Sequence, residues 1–326
     1  MAQPSNLFDR YDGTNSVRED LSNIIYNISP EDTVLMSSIG RDTASNTYFE
    51  WQTDALAAAV TTNQVVEGDD ASLDNRAATN RVGNYTEIAR KVIGVSGTLE
   101  SVDKAGMRSR LAYDLAKASS EIKRDMDSSM FANKAANGGD SSTARQTAGL
   151  PAWIKTNVNK ASNGGNPTLS STNNGYPNAG RTDGTQRTYT ETILKDVIQQ
   201  VWASGGDPKV CLMGPVNKAK ASAFTGIALN RVNQSSGNAG PFSIIATADI
   251  YQSDFGKVAL IPSRYQRERD VFVLDPEYAS VSYLRNFRTE ELAKSGDSTK
   301  KMLLVEYGLR VKTEKAHGIA ADLTTS

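Results

Sequence analysis

The sequence has one cysteine, Cys211, and one histidine, His317. An intrachain disulfide, an iron–sulfur cluster, a zinc finger and a histidine-rich metal centre each need more of these residues than the chain contains. A Ser-His-Asp or Cys-His device would have to use His317. That residue sits in the polar stretch Glu314-Lys315-Ala316-His317-Gly318, near the C-terminal end, and reads as an exposed or satisfied surface histidine. Cys211 lies in the apolar run Val210–Met213 and reads as a buried core thiol.

Excess charge of either sign is also lacking. The chain has 36 Lys and Arg against 37 Asp and Glu, a formal charge of −1. Nothing indicates a phosphate-neutralising face, and little long-range repulsion opposes packing of like copies. No apolar run approaches the roughly 20 residues of a membrane span. Met1–Asp20 is polar and acidic, without the apolar segment of a signal peptide. Phosphate-binding loops and the Gly-x-Ser-x-Gly elbow are missing too.

What is present is a 326-residue chain, 38% hydrophobic, able to bury a core while leaving much of itself polar. Residues 1–42 form an arm. Ser16-Val17-Arg18-Glu19 has the form of a capping box, and Leu21, Ile24, Ile25 and Ile28 follow at helical spacing. Pro30, Glu31 and Asp32 start a second short helix that Gly40 ends. Thr47–Gln52 and Val92–Ser96 read as strands bracketing a long polar stretch with the acidic centre Glu67-Gly68-Asp69-Asp70, so residues 43–98 form an extended hairpin. It holds too little apolar surface to bury itself and needs a neighbouring surface to lie on. Glu67, Asp69, Asp70 and Asp74 are oxygen donors of the kind calcium or magnesium takes, but without EF-hand spacing they read as a solvated tip or an ion-pair partner of another subunit.

Met107, Leu111, Leu115, Ala118, Ile122, Met126 and Met130 recur every three or four residues and predict a long helix over 104–132. Its opposite face is charged and reads as solvated, with subunit contacts as the alternative. Residues 155–189 are rich in Asn, Gly, Ser and Thr and read as an exposed polar insertion or linker. A helix over 190–204 and a strand at Val210–Met213 follow. A short helix around 217–224 and a Gly/Asn-rich loop at 233–241 come next. The remaining runs, Phe242–Ala246, Val258–Ile261, Val271–Leu274, Ala279–Leu284 and Lys301–Lys312, read as strands. The class is α+β.

The order of these parts resembles the Hong Kong 97-type major capsid protein of tailed bacteriophages, a fold shared with encapsulins and the herpesvirus capsid floor. Local sequences resemble one branch, once known only as a family of unknown function. They are Ile28-Ser29-Pro30-Glu31-Asp32-Thr33, Phe49-Glu50-Trp51-Gln52-Thr53-Asp54-Ala55-Leu56, Asn84-Tyr85-Thr86-Glu87-Ile88, Val95-Ser96-Gly97-Thr98, Gly149-Leu150, Asp254-Phe255-Gly256, Tyr283-Leu284-Arg285, Leu292-Ala293-Lys294-Ser295-Gly296-Asp297 and Glu314-Lys315-Ala316.

The resemblance implies an icosahedral shell around packaged double-stranded DNA, built from pentamers and hexamers of this chain. It implies an N-terminal arm (1–42), an extended loop (43–98), a peripheral domain (99–154) holding the spine helix, an insertion (155–189), an axial domain (190–270) and a return to the peripheral domain with a C-terminal tail (271–326). Contacts between subunits are expected from Trp51, Asp54, Glu67, Asp69, Asp70 and Asn84 of the loop and from Leu21, Ile24, Ile25 and Ile28 of the arm. Neither catalysis nor a cofactor or metal is implied. Expected partners are a separate scaffold protein, a portal, a cementing protein and DNA held non-specifically, without a membrane. Assembly is expected in the host cytoplasm and the product in the virion capsid. Some relatives weld subunits through a loop lysine; no Lys lies between Gly40 and Arg90, so that crosslink is not expected. An encapsulin-like compartment and a carboxylate-dependent hydrolase or binding module on an α+β scaffold remain as alternatives.

Overall fold

The computed structural model describes residues 33–70, 73, 78–104, 106–170, 175–224, 249–294 and 296–326. The arm residues Leu21, Ile24, Ile25 and Ile28, the acidic Asp74, the loop at 233–241 and the expected strand Phe242–Ala246 lie outside them.

In chain order the elements are α1 (Val34–Ser38), β1 (Gly40–Thr43), β2 (Tyr48–Thr53), β3 (Asn80–Tyr85), β4 (Glu87–Ser96), α2 (Gly97–Ser101), α3 (Arg110–Phe131), α4 (Leu150–Trp153), β5 (Val158–Asn159), β6 (Thr168–Leu169), β7 (Pro177–Ala179), α5 (Glu191–Ala203), β8 (Val210–Met213), α6 (Pro215–Ser222), β9 (Ile250–Ser253), β10 (Gly256–Pro262), β11 (Val271–Leu274), β12 (Ala279–Glu291), β13 (Ser298–Val311) and β14 (Gly318–Ala320). The fold is α+β.

Two sheets carry it. The four-stranded one runs β1-β12-β13-β4, and the six-stranded one runs β5-β14-β11-β8-β10-β9. Two cores follow from their pleat. Strands β8 and β11 are almost wholly apolar because both faces are covered. Leu212, Phe272 and Leu274 point into one core, with α3, α4 and the long strands β12 and β13. Cys211, Met213, Val271 and Val273 point into the other, where α5 presents Leu194, Val197 and Ile198.

The spine helix starts later than its periodicity predicts. Gly106 takes a positive φ of 77°, a conformation that suits glycine, and the helix begins only after Ser109, whose Oγ accepts the Ala112 N–H at 3.2 Å. Its 22 residues span about 33 Å. Ala118, Ile122, Met126, Met130 and Phe131 are buried beneath it.

Three further expectations are corrected. Val92–Ser96 does not close the hairpin: it belongs to β4, which pairs along β13 from Ser96↔Ser298 to Glu87↔Tyr307. The partner of β2 is β3, with Phe49 opposite Asn84 and Trp51 opposite Val82.

Residues 155–189 are not a linker. Their β5 adds to the six-stranded sheet beside β14, and Asp322 holds them by accepting N–H bonds from Ala161 (3.1 Å) and Gly184 (2.6 Å).

Nor is the C-terminal stretch a polar tail. Residues 316–323 are buried, and β14 lies between β5 and β11. His317 is fully buried and within 3.3 Å of the Tyr278 carbonyl. The cause is the same in each case: the partners that decide the placement lie far away in sequence.

Candidate assembly surfaces

The hairpin β2–β3 is fixed firmly at its root. Phe49 is buried against Gly308 of β13, where an added Cβ would stand 2.5 Å from the Phe49 ring. The Trp51 ring lies 5.5 Å from that of Trp153, and its indole Nε1–H donates to the Lys312 carbonyl at 3.1 Å. Arg310 covers Phe49 and Trp51 at 5.5 and 5.7 Å while pairing with Asp42. Asn84 is wholly buried. Its Nδ2 donates to Thr147 Oγ1 (3.0 Å) and the Leu309 carbonyl (2.7 Å), and its Oδ1 accepts from Ala148 (3.0 Å) and Tyr85 (2.9 Å).

Two of the expected contact residues are thereby used within the subunit. Asn84 has all its hydrogen-bonding capacity spent internally, so it is withdrawn from the contact set. Trp51 is half-buried and serves mainly to anchor the loop.

Two carboxylates, Glu306 buried and Glu87 half-buried, brace the same region. Glu306 accepts from Thr86 Oγ1 (2.9 Å) and Arg285 (2.7 Å) and pairs with Arg145. Glu87 meets Lys134 at 2.5 Å and Ser129 at 3.0 Å. A buried charge is tolerated only where it is paired and hydrogen-bonded in this way.

Beyond this root the chain leaves the body. Residues 54–70 are exposed throughout, and Leu56 is 100%, Val65 81% and Val66 79% accessible. Asp54, Glu67, Asp69 and Asp70 are all exposed. The tip is a tight turn. Asp69 N–H donates to the Val66 carbonyl at 3.0 Å, and Gly68 adopts φ 83°. Aliphatic side chains left in water on a projecting loop are an unpaid hydrophobic cost, each about 1.5–3 kcal/mol short of full burial.

The charged face of α3 is largely occupied within the chain. Lys91 of β4 reaches Asp125 at 2.7 Å and Glu121 at 4.0 Å, and Arg110 pairs with Asp114 at 2.9 Å.

Burial pushes the Cys211 thiol up to about 12 and holds His317 neutral by lowering it to about 4. Among the described residues no group of three or more His, Cys, Asp or Glu converges as a metal site, and no helix is long and apolar enough to cross a membrane.

A rigid root, a projecting loop and two sheets beside a spine helix constitute a building block. The family described as SU10 major capsid protein matches residues 4–324, nearly the whole chain. The chain belongs to that family. It is a phage major capsid protein and forms the capsid shell.

A curated relative, the major capsid protein of Escherichia phage Phieco32, is 27% identical, with 98% of this chain and 97% of the relative covered. Among solved structures the cyanophage A-1(L) capsid asymmetric unit matches with a TM-score of 0.66 at 10% identity, covering 98% of this chain and 100% of that one. A Gordonia phage Cozz structure gives 0.62 at 12%, covering 99% and 98%. The SrpI encapsulin of Synechococcus elongatus gives 0.57 at 13%, covering 98% and 97%. At such identities the structures testify to the Hong Kong 97-type fold alone.

Proposed function

We propose that this major capsid protein works by assembly alone, without catalysis, closing pentamers and hexamers into an icosahedral wall around packaged double-stranded DNA. One observation carries the reading: the segment 54–70 is exposed throughout, with Leu56, Val60, Val65 and Val66 in water, beyond a root braced within the subunit. Its apolar surface finds cover on another subunit. The arm, whose Leu21, Ile24, Ile25 and Ile28 recur at helical spacing in the sequence, is offered to neighbours as well. Many modest contacts per subunit then multiply into a stable shell.

A net charge of −1 suits a wall that confines DNA while touching it non-specifically. In this reading a separate scaffold protein, a portal and a cementing protein complete the particle, and assembly takes place in the host cytoplasm. The encapsulin alternative shares the fold. The family match and the curated relative favour the phage capsid.

The test is electron microscopy and sedimentation of the purified chain, alone and with its scaffold. Shells are expected. A chain that stays monomeric under all these conditions would sink the proposal, and shells filled with an enzyme cargo would return it to the encapsulin reading. Deleting residues 55–78 should abolish shells and leave a folded subunit, because the paired strands β2 and β3 remain.

A further inference from the structure

Beside the root of the projecting loop lies a cavity of about 500 Å³. Its floor is apolar, formed by Val82, Trp153, Leu169 and Val311. Lys155, Lys312 and Lys315 stand around it, all exposed, and among the described residues none of them has a carboxylate partner. Two acids line it as well. Glu314 is spent on the N–H groups of Lys155 and Thr156 and the Thr156 hydroxyl, and Asp54 caps the Ala55 N–H at 2.8 Å. Those bonds leave both carboxylates charged, so three lysines against two acids give the mouth one surplus positive charge.

The loop tip has the opposite character. Val65 and Val66 are aliphatic and exposed, and Glu67, Asp69 and Asp70 follow them around the turn without a cation partner among the described residues. We propose that the cavity at the loop root receives the tip Val65–Asp70 of the same loop from a neighbouring copy of the chain. The valines would cover the apolar floor, and the acids would meet the lysines. This rests on the assembly reading above and names the acceptor site.

Geometry supports a second copy as the occupant. Residues 54–66 can extend about 40 Å from the root, and the exposure of the tip means that it does not lie in its own cavity. A tip-to-root contact is heterologous, with different patches on the two partners. Such contacts propagate round a ring and close it, as a pentamer or hexamer requires. Opposite charges at a contact also fix register and disfavour wrong pairings.

Two experiments on the full chain test the site. In the first, Lys155→Glu, Lys312→Glu and Lys315→Glu are combined, and separately Glu67→Lys, Asp69→Lys and Asp70→Lys. Each triple variant should lower shell yield about ten-fold or more at low salt, where such contacts are strongest, and the six-fold variant should recover most of it. Normal assembly of the lysine triple would overturn the site.

In the second, Val66→Cys and Thr313→Cys are introduced together. Cys211 is buried, so the background is low. Mild oxidation of assembled particles should give a ladder of covalent multimers. A faster-migrating monomer would mean an intrachain bond and would overturn the proposal, as would particles that form normally yet yield no ladder. Failure of the unmodified chain to form shells would instead overturn the capsid reading itself.

Discussion

Asp127 of the spine helix accepts the backbone N–H of Met36 at 3.0 Å, and its other carboxylate oxygen is buried without a hydrogen-bond partner. The bond ties the root of the arm to the middle of the molecule, where Leu35 and Met36 are buried. Burial pushes the carboxyl up to about 6, against the pull of the α1 N–H groups. An unfolded Asp titrates near 3.9. Between about pH 4 and 6 the native state therefore binds the proton more tightly, and stability contributed here rises as pH falls through 6. Above pH 6 the buried charge costs on the order of 3 kcal/mol.

Asp127→Asn keeps an acceptor for Met36 without the charge. Relative to the unmodified subunit it should be equal or more stable at pH 7.5 and lose that advantage at pH 5. Asp127→Ala removes the acceptor and should cost about 1–3 kcal/mol at pH 5. Denaturant midpoints at the two pH values decide it; an unchanged pH slope in Asp127→Asn would show that the carboxyl does not titrate in this window.

The approach of β2 to β13 leaves no room for a side chain at Gly308. An added Cβ would lie 2.5 Å from one Phe49 ring carbon, 2.8 Å from another and 3.0 Å from the Tyr85 carbonyl. Gly308→Ala should destabilise by about 1–3 kcal/mol through overpacking. Phe49→Leu alone should also cost stability. The double variant should cost less than the sum, because the smaller side chain relieves part of the clash. A double-mutant cycle by chemical denaturation measures the coupling; strict additivity would mean that the strand moves instead.

Asn84 joins β3 to β13 and to the segment after α3. Asn84→Leu would strand the Leu309 carbonyl and the Ala148 N–H without partners, and should cost about 2–4 kcal/mol. Because the residue lies under the loop root, limited proteolysis of the variant should cut faster between residues 54 and 79. A variant as resistant and as stable as the unmodified chain would contradict the role assigned here.

Asn84 also marks where sequence reading stops. Asn-Arg-Val-Gly-Asn-Tyr is a polar strand, and its partners lie 63 and 225 residues away at Thr147 and Leu309. No local pattern reveals that they will converge, so the side chain looks like surface. Residues 155–189 misled for the same reason, since Asp322 anchors them across 138 and 161 residues. What was legible was periodic or capped. The stripe from Ala118 to Met130 gave the spine, and continuous apolar runs gave β8 and β11. The loop was legible only as a stretch unable to bury itself; that its exposed surface is aliphatic at Leu56, Val60, Val65 and Val66 emerged from the structure. The cavity at the root was invisible, because it is assembled from Val82, Trp153, Leu169 and Val311 only when the fold forms.

His317 should make acid the enemy of the C-terminal packing. It is buried beside the Tyr278 carbonyl, and burial lowers its ring to about 4, against a small upward pull from that carbonyl and from Asp275. The unfolded ring binds its proton near pH 6.5. Between about pH 6.5 and 4 the unfolded state holds more protons, so this residue's contribution is complete above pH 6.5 and is lost as pH falls. That is the reverse of Asp127, and the two oppose each other across pH 4 to 6. His317→Leu leaves the Tyr278 carbonyl without the ring and should cost about 1–3 kcal/mol at pH 7.5. The deficit should shrink toward pH 5, because the variant has no imidazole to protonate on unfolding. Denaturant midpoints of the two proteins, compared at several pH values, measure the convergence. Parallel curves would mean that the ring stays charged, or stays neutral, in both states.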